Sequence, residues 1–283
     1  MKLTSILHLF KYRILAKPYF DTNDVIVGRN VAFGRNVVFN CRRVRIGDGV
    51  IFQNNICINA DVFEIGDYGL VYSDCFFPGP GRLIIGHNFW LGNGSIMDSQ
   101  AGTFIGNNVG IGAHSQLWTH MSFGDIMYGC VFDSHKSLCI EDDAWLVGHC
   151  LASPVTIGAR SLALPGSVIT KDMMPDHTYA GVPIKDITEK FGRQFNVTAL
   201  RERTDYLQTQ IQDFANHYQI KDIAKHVKIV QDKSEMNDTC DSVTVFNVAD
   251  RTYLKRQTEI EHLLMRFLLP KAKFVPIDSQ QKG

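Results

Sequence analysis

The chain has 283 residues and no apolar run near the roughly 18 residues that mark a membrane-spanning helix. It lacks a surplus of either charge: Lys plus Arg and Asp plus Glu each number 29, so no global field favours nucleic acid. No CxxC pair occurs among its seven Cys, at 41, 57, 75, 130, 139, 150 and 240. An odd, scattered set of thiols reads as small buried side chains in a reduced, cytoplasmic protein, not as a disulfide framework. No Ser or Cys sits in a GxSxG context, which removes the nucleophile elbow. The first twenty residues, MKLTSILHLFKYRILAKPYF, lack a small-residue cleavage site, so a secretory signal is not expected. Residues 1–24 read instead as a basic amphipathic helix. It either caps the open end of the next domain or makes peripheral contact with a membrane.

What the chain does have is a repeat. From Val27 onward an apolar residue recurs every six positions, often followed by Gly: Val27-Gly28, Ile46-Gly47, Ile65-Gly66, Ile85-Gly86, Ile105-Gly106, Ile111-Gly112 and Ile157-Gly158. Starts at 27, 46, 65, 85 and 105 lie 19, 19, 20 and 20 residues apart, three hexads plus one or two residues. Within a coil the six-step is clean, as in Ile85, Leu91, Met97 or Ile140, Leu146, Ala152. Such a period suits three short strands forming one triangular turn. The first residue of each hexad points inward, and Gly, Asn or Asp takes the corner. A coil buries its core only by stacking on its neighbours. An amphipathic helix does not explain a strict six-step. The repeat breaks once: Leu117 and Ile140 are 23 residues apart where six would continue it, which predicts a protruding loop over 119–139.

Residues 140–187 carry Trp145, Thr170-Lys171-Asp172 and the exit Ala180-Gly181-Val182-Pro183, followed by Lys185. This stretch resembles the terminal coils of the hexapeptide-repeat acyltransferases, sugar O-acetyltransferases such as galactoside and maltose acetyltransferase above all. The resemblance implies a mainly β fold, a left-handed parallel β-helix over 25–187. It also implies acetyl-CoA as co-substrate, no metal, and a homotrimer with active sites between subunits. One departure is the coil Trp145-Leu146-Val147-Gly148-His149, where the family usually has Trp-Ile-Gly-Ala.

Acyl transfer to a hydroxyl needs a base that titrates near neutrality, which imidazole supplies. His120 opens the long loop, as the catalytic His does in similar acetyltransferases, and is the expected general base. His114, six residues earlier, is its rival. Asp98 lies where related enzymes carry an acidic residue that contacts the acceptor. Asn93 and His114 are the other candidates for that contact. By the same resemblance Trp145, Gly148, Thr170, Lys171 and Lys185 would hold the CoA donor, the cations meeting its phosphates. The expected reaction is direct acetyl transfer within a ternary complex to a sugar or surface-polysaccharide hydroxyl. The alternatives are N-acetylation of an amino-sugar nucleotide and xenobiotic acetylation. From other classes come a metal lyase using His87, His114 and His120, and a non-catalytic scaffold.

Past residue 187 the six-step is gone. Leu200, Leu207, Ile211 and Phe214 predict a helix, 254–269 a second one stopped by Pro270, and 243–248 and 273–277 read as strands. Residues 188–283 are expected to form an α-rich accessory module.

Overall fold

The computed structural model describes residues 16–236, 240 and 242–277, so residues 1–15 of the expected N-terminal helix lie outside the described residues; within the rest of that span Tyr19–Phe20 is a strand, paired in parallel with Val38 and Phe39, and not helix. The chain divides into two compact units, 1–195 and 196–283.

The first unit is the parallel β-helix. Each regular coil contributes three short strands: Arg82–Ile85, Trp90–Leu91 and Ile96–Met97, then Thr103–Ile105, Gly110–Ile111 and Gln116–Leu117. Next come Leu138–Ile140, Trp145–Leu146 and Leu151–Ala152, then Thr156–Ile157, Leu162–Ala163 and Val168–Ile169. Each strand pairs in parallel with its equivalent one coil on, for example Ile85 with Ile105, Ile105 with Ile140 and Ile140 with Ile157. Stacked equivalents therefore build three faces. The strands Val37–Ile46 and Ile56–Ile65 run without a break around one edge and join two faces into a single sheet.

The six-step residues are the core. Leu91, Met97, Ile111, Leu117, Leu146, Ile157 and Ile169 are all fully buried. The filling changes along the axis. Early coils stack phenylalanines, Phe33 on Phe52 at 5.5 Å and Phe39 edge-on to Phe52 at 5.4 Å, while later coils place Ala144, Ala152 and Ala163 inside. Val27 has no coil beneath it among the described residues and is exposed.

Corner chemistry explains the Asp and Asn residues that follow the Ile-Gly pairs. A side chain on each coil accepts the backbone N–H of the equivalent residue one coil earlier. The series runs Arg29 to Asp48 (2.6 Å), Asp48 to Asp67 (2.8 Å), Asp67 to His87 (2.9 Å), His87 to Asn107 (2.9 Å) and Asn107 to Asp142 (2.6 Å). Accepting through Nδ1 ties the His87 ring to the corner. Beside this series Asn88, Asn108 and Asp143 take left-handed φ values of 58°, 61° and 60° and are linked by side-chain amides.

The prism closes where the sequence exits. After Thr178–Ala180 the chain doubles back. Ala180 pairs antiparallel with Lys185, and Ile184 is buried at the end of the core.

The second unit holds the helix Leu200–Tyr218 and the helix Glu259–Leu268. It also holds a four-stranded mixed sheet in the order Val227–Val230, Thr244–Asn247, Thr252–Leu254, Val275–Ile277. The expected strands at 243–248 and 273–277 are present, and two more accompany them. The second helix begins five residues later than its apolar pattern suggested. Thr258 caps it by accepting from the Glu261 N–H at 3.1 Å, and Glu261 accepts in turn from Gln257 N–H at 2.9 Å.

Gly112 tests the stacking. A Cβ placed there would lie 1.8 Å from the carbonyl oxygen of Val147 on the next coil. Gly112→Ala should destabilise the β-helix by about 1–3 kcal/mol or more, read as a lower denaturant midpoint with unchanged slope.

Candidate functional site

The interruption of the repeat is a hairpin. His120–Ser122 pairs antiparallel with Asp133–His135, and a short 3-10 turn at Ile126–Tyr128 caps it. The hairpin leaves the edge between the face of Gln116–Leu117 and the face of Leu138–Ile140. Its base is fixed by the Lys136 N–H, which donates to the Thr119 carbonyl at 3.0 Å.

Beneath this base lies Asp98, on the preceding coil. Strands Ile96–Met97 and Gln116–Leu117 are paired in register, so the residues just beyond each strand share one edge. The Asp98 side chain is completely buried. Its Oδ2 accepts from the Thr119 backbone N–H (2.8 Å) and the Thr119 hydroxyl (2.5 Å), and lies 2.7 Å from His120 Nδ1. Its Oδ1 accepts from the Gln100 N–H at 3.0 Å. Burial alone would raise the Asp98 pKa. The Thr119 hydroxyl, His120 and two backbone N–H groups outweigh it and hold the carboxyl below its ordinary range.

An ionised carboxylate can only accept, so His120 Nδ1 carries a proton, and in the neutral form of the ring Nε2 presents its lone pair. The His120 side chain keeps 31% of its surface exposed, and no described residue hydrogen-bonds its Nε2. The His135 ring is nearly parallel to it at 6.1 Å, and Trp118 lies edge-on at 6.4 Å. Chemically this is a base oriented from behind and open in front.

The structure places Asp98 behind the imidazole, with both oxygens engaged by protein. That is not the acceptor-facing place expected of it. Asn93 and His114 lie on a different edge of the prism, where the His114 N–H donates to the Asn93 carbonyl at 2.9 Å and its ring lies 5.2 Å from that of His149. Thr170 and Lys171 share the edge of His120, on a later coil. Trp145 projects from the face opposite that edge, against Gly110. Gly148 is buried at the His114 edge, and Lys185 ends the sheet of Trp145. His87, His114 and His120 occupy three different edges. No group of three or more His, Cys, Asp or Glu among the described residues is arranged to hold a metal.

Sequence reading missed Thr119 and His135. Thr119 could have been found by counting, because a 20-residue coil sets position 98 beneath 118. His135 could not, because its place depends on the hairpin register.

Part of the chain matches the galactoside O-acetyltransferase of Escherichia coli (strain K12), with 31% identity over 129 residues, 44% of this chain and 63% of that protein. The chain thus spans less than two thirds of the relative's length. No protein-family profile matches. Similar solved structures include AntD, an N-acyltransferase from Bacillus cereus in complex with dTDP and 3-hydroxybutyryl-CoA (14% identity, 74% of this chain and 96% of that one, TM-score 0.41). A maltose O-acetyltransferase from Clostridium difficile 630 follows (18%, 65% and 82%, TM-score 0.32). A hexapeptide-repeat acetyltransferase from Vibrio cholerae O1 biovar eltor complexed with acetyl coenzyme A is also similar (19%, 66% and 78%, TM-score 0.29).

The low pKa of Asp98 has a measurable consequence. A carboxyl whose folded pKa is depressed stabilises the fold above its unfolded pKa, near 3.9, and loses that contribution as pH falls through the folded value. The stability gap between the parent protein and Asp98→Asn should shrink as pH falls below about 4, as followed by denaturant titration.

Proposed function

We propose that this chain, which resembles the hexapeptide-repeat acyltransferases, is an acetyl-CoA-dependent O-acetyltransferase acting on a sugar hydroxyl of a surface glycan. The observation that carries the reading is the pairing of buried Asp98 with His120 at the root of the one hairpin that interrupts the described coils. The partial identity with a galactoside O-acetyltransferase supports the sugar acceptor.

Acetyl-CoA supplies an activated thioester carbonyl. His120 Nε2 takes the proton of the acceptor hydroxyl as its oxygen attacks that carbonyl. Asp98 holds the ring in the competent tautomer and stabilises the imidazolium that forms. His120 then returns the proton to the departing CoA sulfur as the carbon–sulfur bond breaks. Acetyl ester and free thiol result, and no residue of the chain is acylated.

Thr170, Lys171 and Lys185 fit the donor. Both lysines are exposed at the closing end of the prism and form no ion pair with a described residue, so their charge is available to phosphates. Trp145 and Gly148 are separated from His120 by the body of the prism. A donor touching both must lie between two chains, which favours a homotrimer in which each site draws on two subunits.

His120→Ala and Asp98→Asn should each lower turnover, the first by about 10²–10⁴-fold, while CoA binding is retained. Release of CoA from acetyl-CoA in the presence of a panel of sugars and oligosaccharides is the assay. Near-normal release in His120→Ala would remove this residue from the mechanism.

A further inference from the structure

The proposed donor residues Thr170, Lys171 and Lys185 lie on the C-terminal side of the His120 coil. If the donor approaches from that end, the acceptor approaches from the other. Strand order on the face beside His120 runs Thr156–Ile157, Leu138–Ile140, Thr103–Ile105, Arg82–Ile85. The outward side chains on the N-terminal side of the hairpin are therefore Phe104 and, one strand further, Arg82. Two strand spacings, about 9–10 Å, separate the Arg82–Ile85 strand from Leu138–Ile140, the strand that follows the hairpin.

Six arginines lie at this end of the prism: Arg29, Arg35, Arg42, Arg43, Arg45 and Arg82. Arg43 and Arg45 pair with Asp24, and Arg42 grips both oxygens of Asp61 at 2.7 and 3.0 Å. Arg82 is different. It is exposed and has no carboxylate within ion-pair distance among the described residues. Asp61 feels its field, but both Asp61 oxygens are held by Arg42.

The Arg82 guanidinium instead lies over the Phe104 ring, 5.9 Å from its centroid. A guanidinium set against an aromatic face is oriented with its in-plane N–H groups open, which suits two-point pairing with an anion. Phe104 is itself wedged at the hairpin base. A Cβ on Gly102 would come within 3.1 Å of the ring and 3.6 Å of Ser137 Oγ, and that hydroxyl donates to the Ala101 carbonyl at 2.8 Å. Register sets Arg82, Gly102 and Ser137 in one line across the face, and Ser137 lies two residues past His135.

We propose that Arg82, positioned by Phe104, is an acceptor subsite selecting a sugar that bears an anionic group, a carboxylate or a phosphate. The proposal rests on the acetyl-transfer reading only for the direction from which the acceptor enters. The subsite makes its own prediction about binding. The intact protein and Arg82→Gln are compared by ligand-observed NMR titration with methyl β-D-glucuronide, glucose 6-phosphate and the neutral methyl β-D-glucoside. CoA binding is measured alongside.

At least one anionic sugar should bind the parent protein about tenfold or more tighter than the glucoside. Arg82→Gln should abolish that preference while CoA affinity and the circular dichroism spectrum are unchanged. Arg82→Lys should keep part of it, because a point charge replaces the two-point fork. Preference for the glucuronide alone, or for the phosphate alone, identifies which anion is read. Equal or undetectable binding of all three sugars to the parent protein overturns the subsite. So does an anion preference that survives in Arg82→Gln, or a loss of CoA affinity in that variant. If the parent protein fails to bind CoA yet discriminates the sugars through Arg82, the donor assignment falls and the subsite stands.

Discussion

Parallel stacking in register is the constraint from which the rest of the first unit follows. A lone triangular coil cannot bury its inward side chains or pair its backbone; the next coil supplies both at once. Ile85, Ile105, Ile140 and Ile157 lie in one column because their strands are paired residue for residue. The same register lines up the corner acceptors from Asp48 to Asp142, so one geometric rule satisfies the core and the corners together. It also makes substitutions transmit vertically. A group added at Gly112 is felt by Val147, which is remote in sequence but next in the stack.

The candidate site is a product of that rule and of one exception to it. Register sets Asp98 beneath Trp118, within reach of the Thr119 N–H and hydroxyl, and burial by the stacked coils gives the carboxylate its dry surroundings. The insertion after Thr119 lets the chain leave the prism with His120 as its first outward residue. A rigid, buried acceptor of hydrogen bonds thereby orients a ring at the root of an exposed hairpin. Scaffold and loop divide the labour: the coils fix the carboxylate, and the departure of the chain opens Nε2.

This division also explains what could be read from the amino acids. The six-step is local and strict, so the coils, their inward residues and the interruption were all legible from Ile, Leu and Gly positions. His120 was legible because it opens the interruption. The place of Asp98 required knowing that a coil here is 20 residues long and that positions 98 and 118 are therefore neighbours, which turned an expected acceptor contact into a buried partner of the base. Asn93 and His114 lie on another edge of the same chain, because six residues of sequence carry a side chain one edge around the prism. The last ninety residues obey no such period. Their strands Val227–Val230 and Thr252–Leu254 are short, and their pairing is set by contacts distant in sequence, so helices with long apolar stripes were visible there and half the sheet was not.

A one-dimensional scaffold imposes an order on any chemistry it carries. Positions along the axis are fixed by coil number, and positions around it by place within the coil. His120, Thr170 and Lys171 share an edge and differ only in height, whereas Trp145 differs in angle and cannot be brought to His120 by any small motion of one prism. A reaction joining two substrates at His120 must therefore stack them along the edge, one from each end, or enlist the face of another chain. The distribution of charge agrees with two ends of distinct use. Unpaired lysines mark the closing coils. At the opening coils carboxylates pair with Arg42, Arg43 and Arg45, while the exposed guanidinium of Arg82 lies on Phe104.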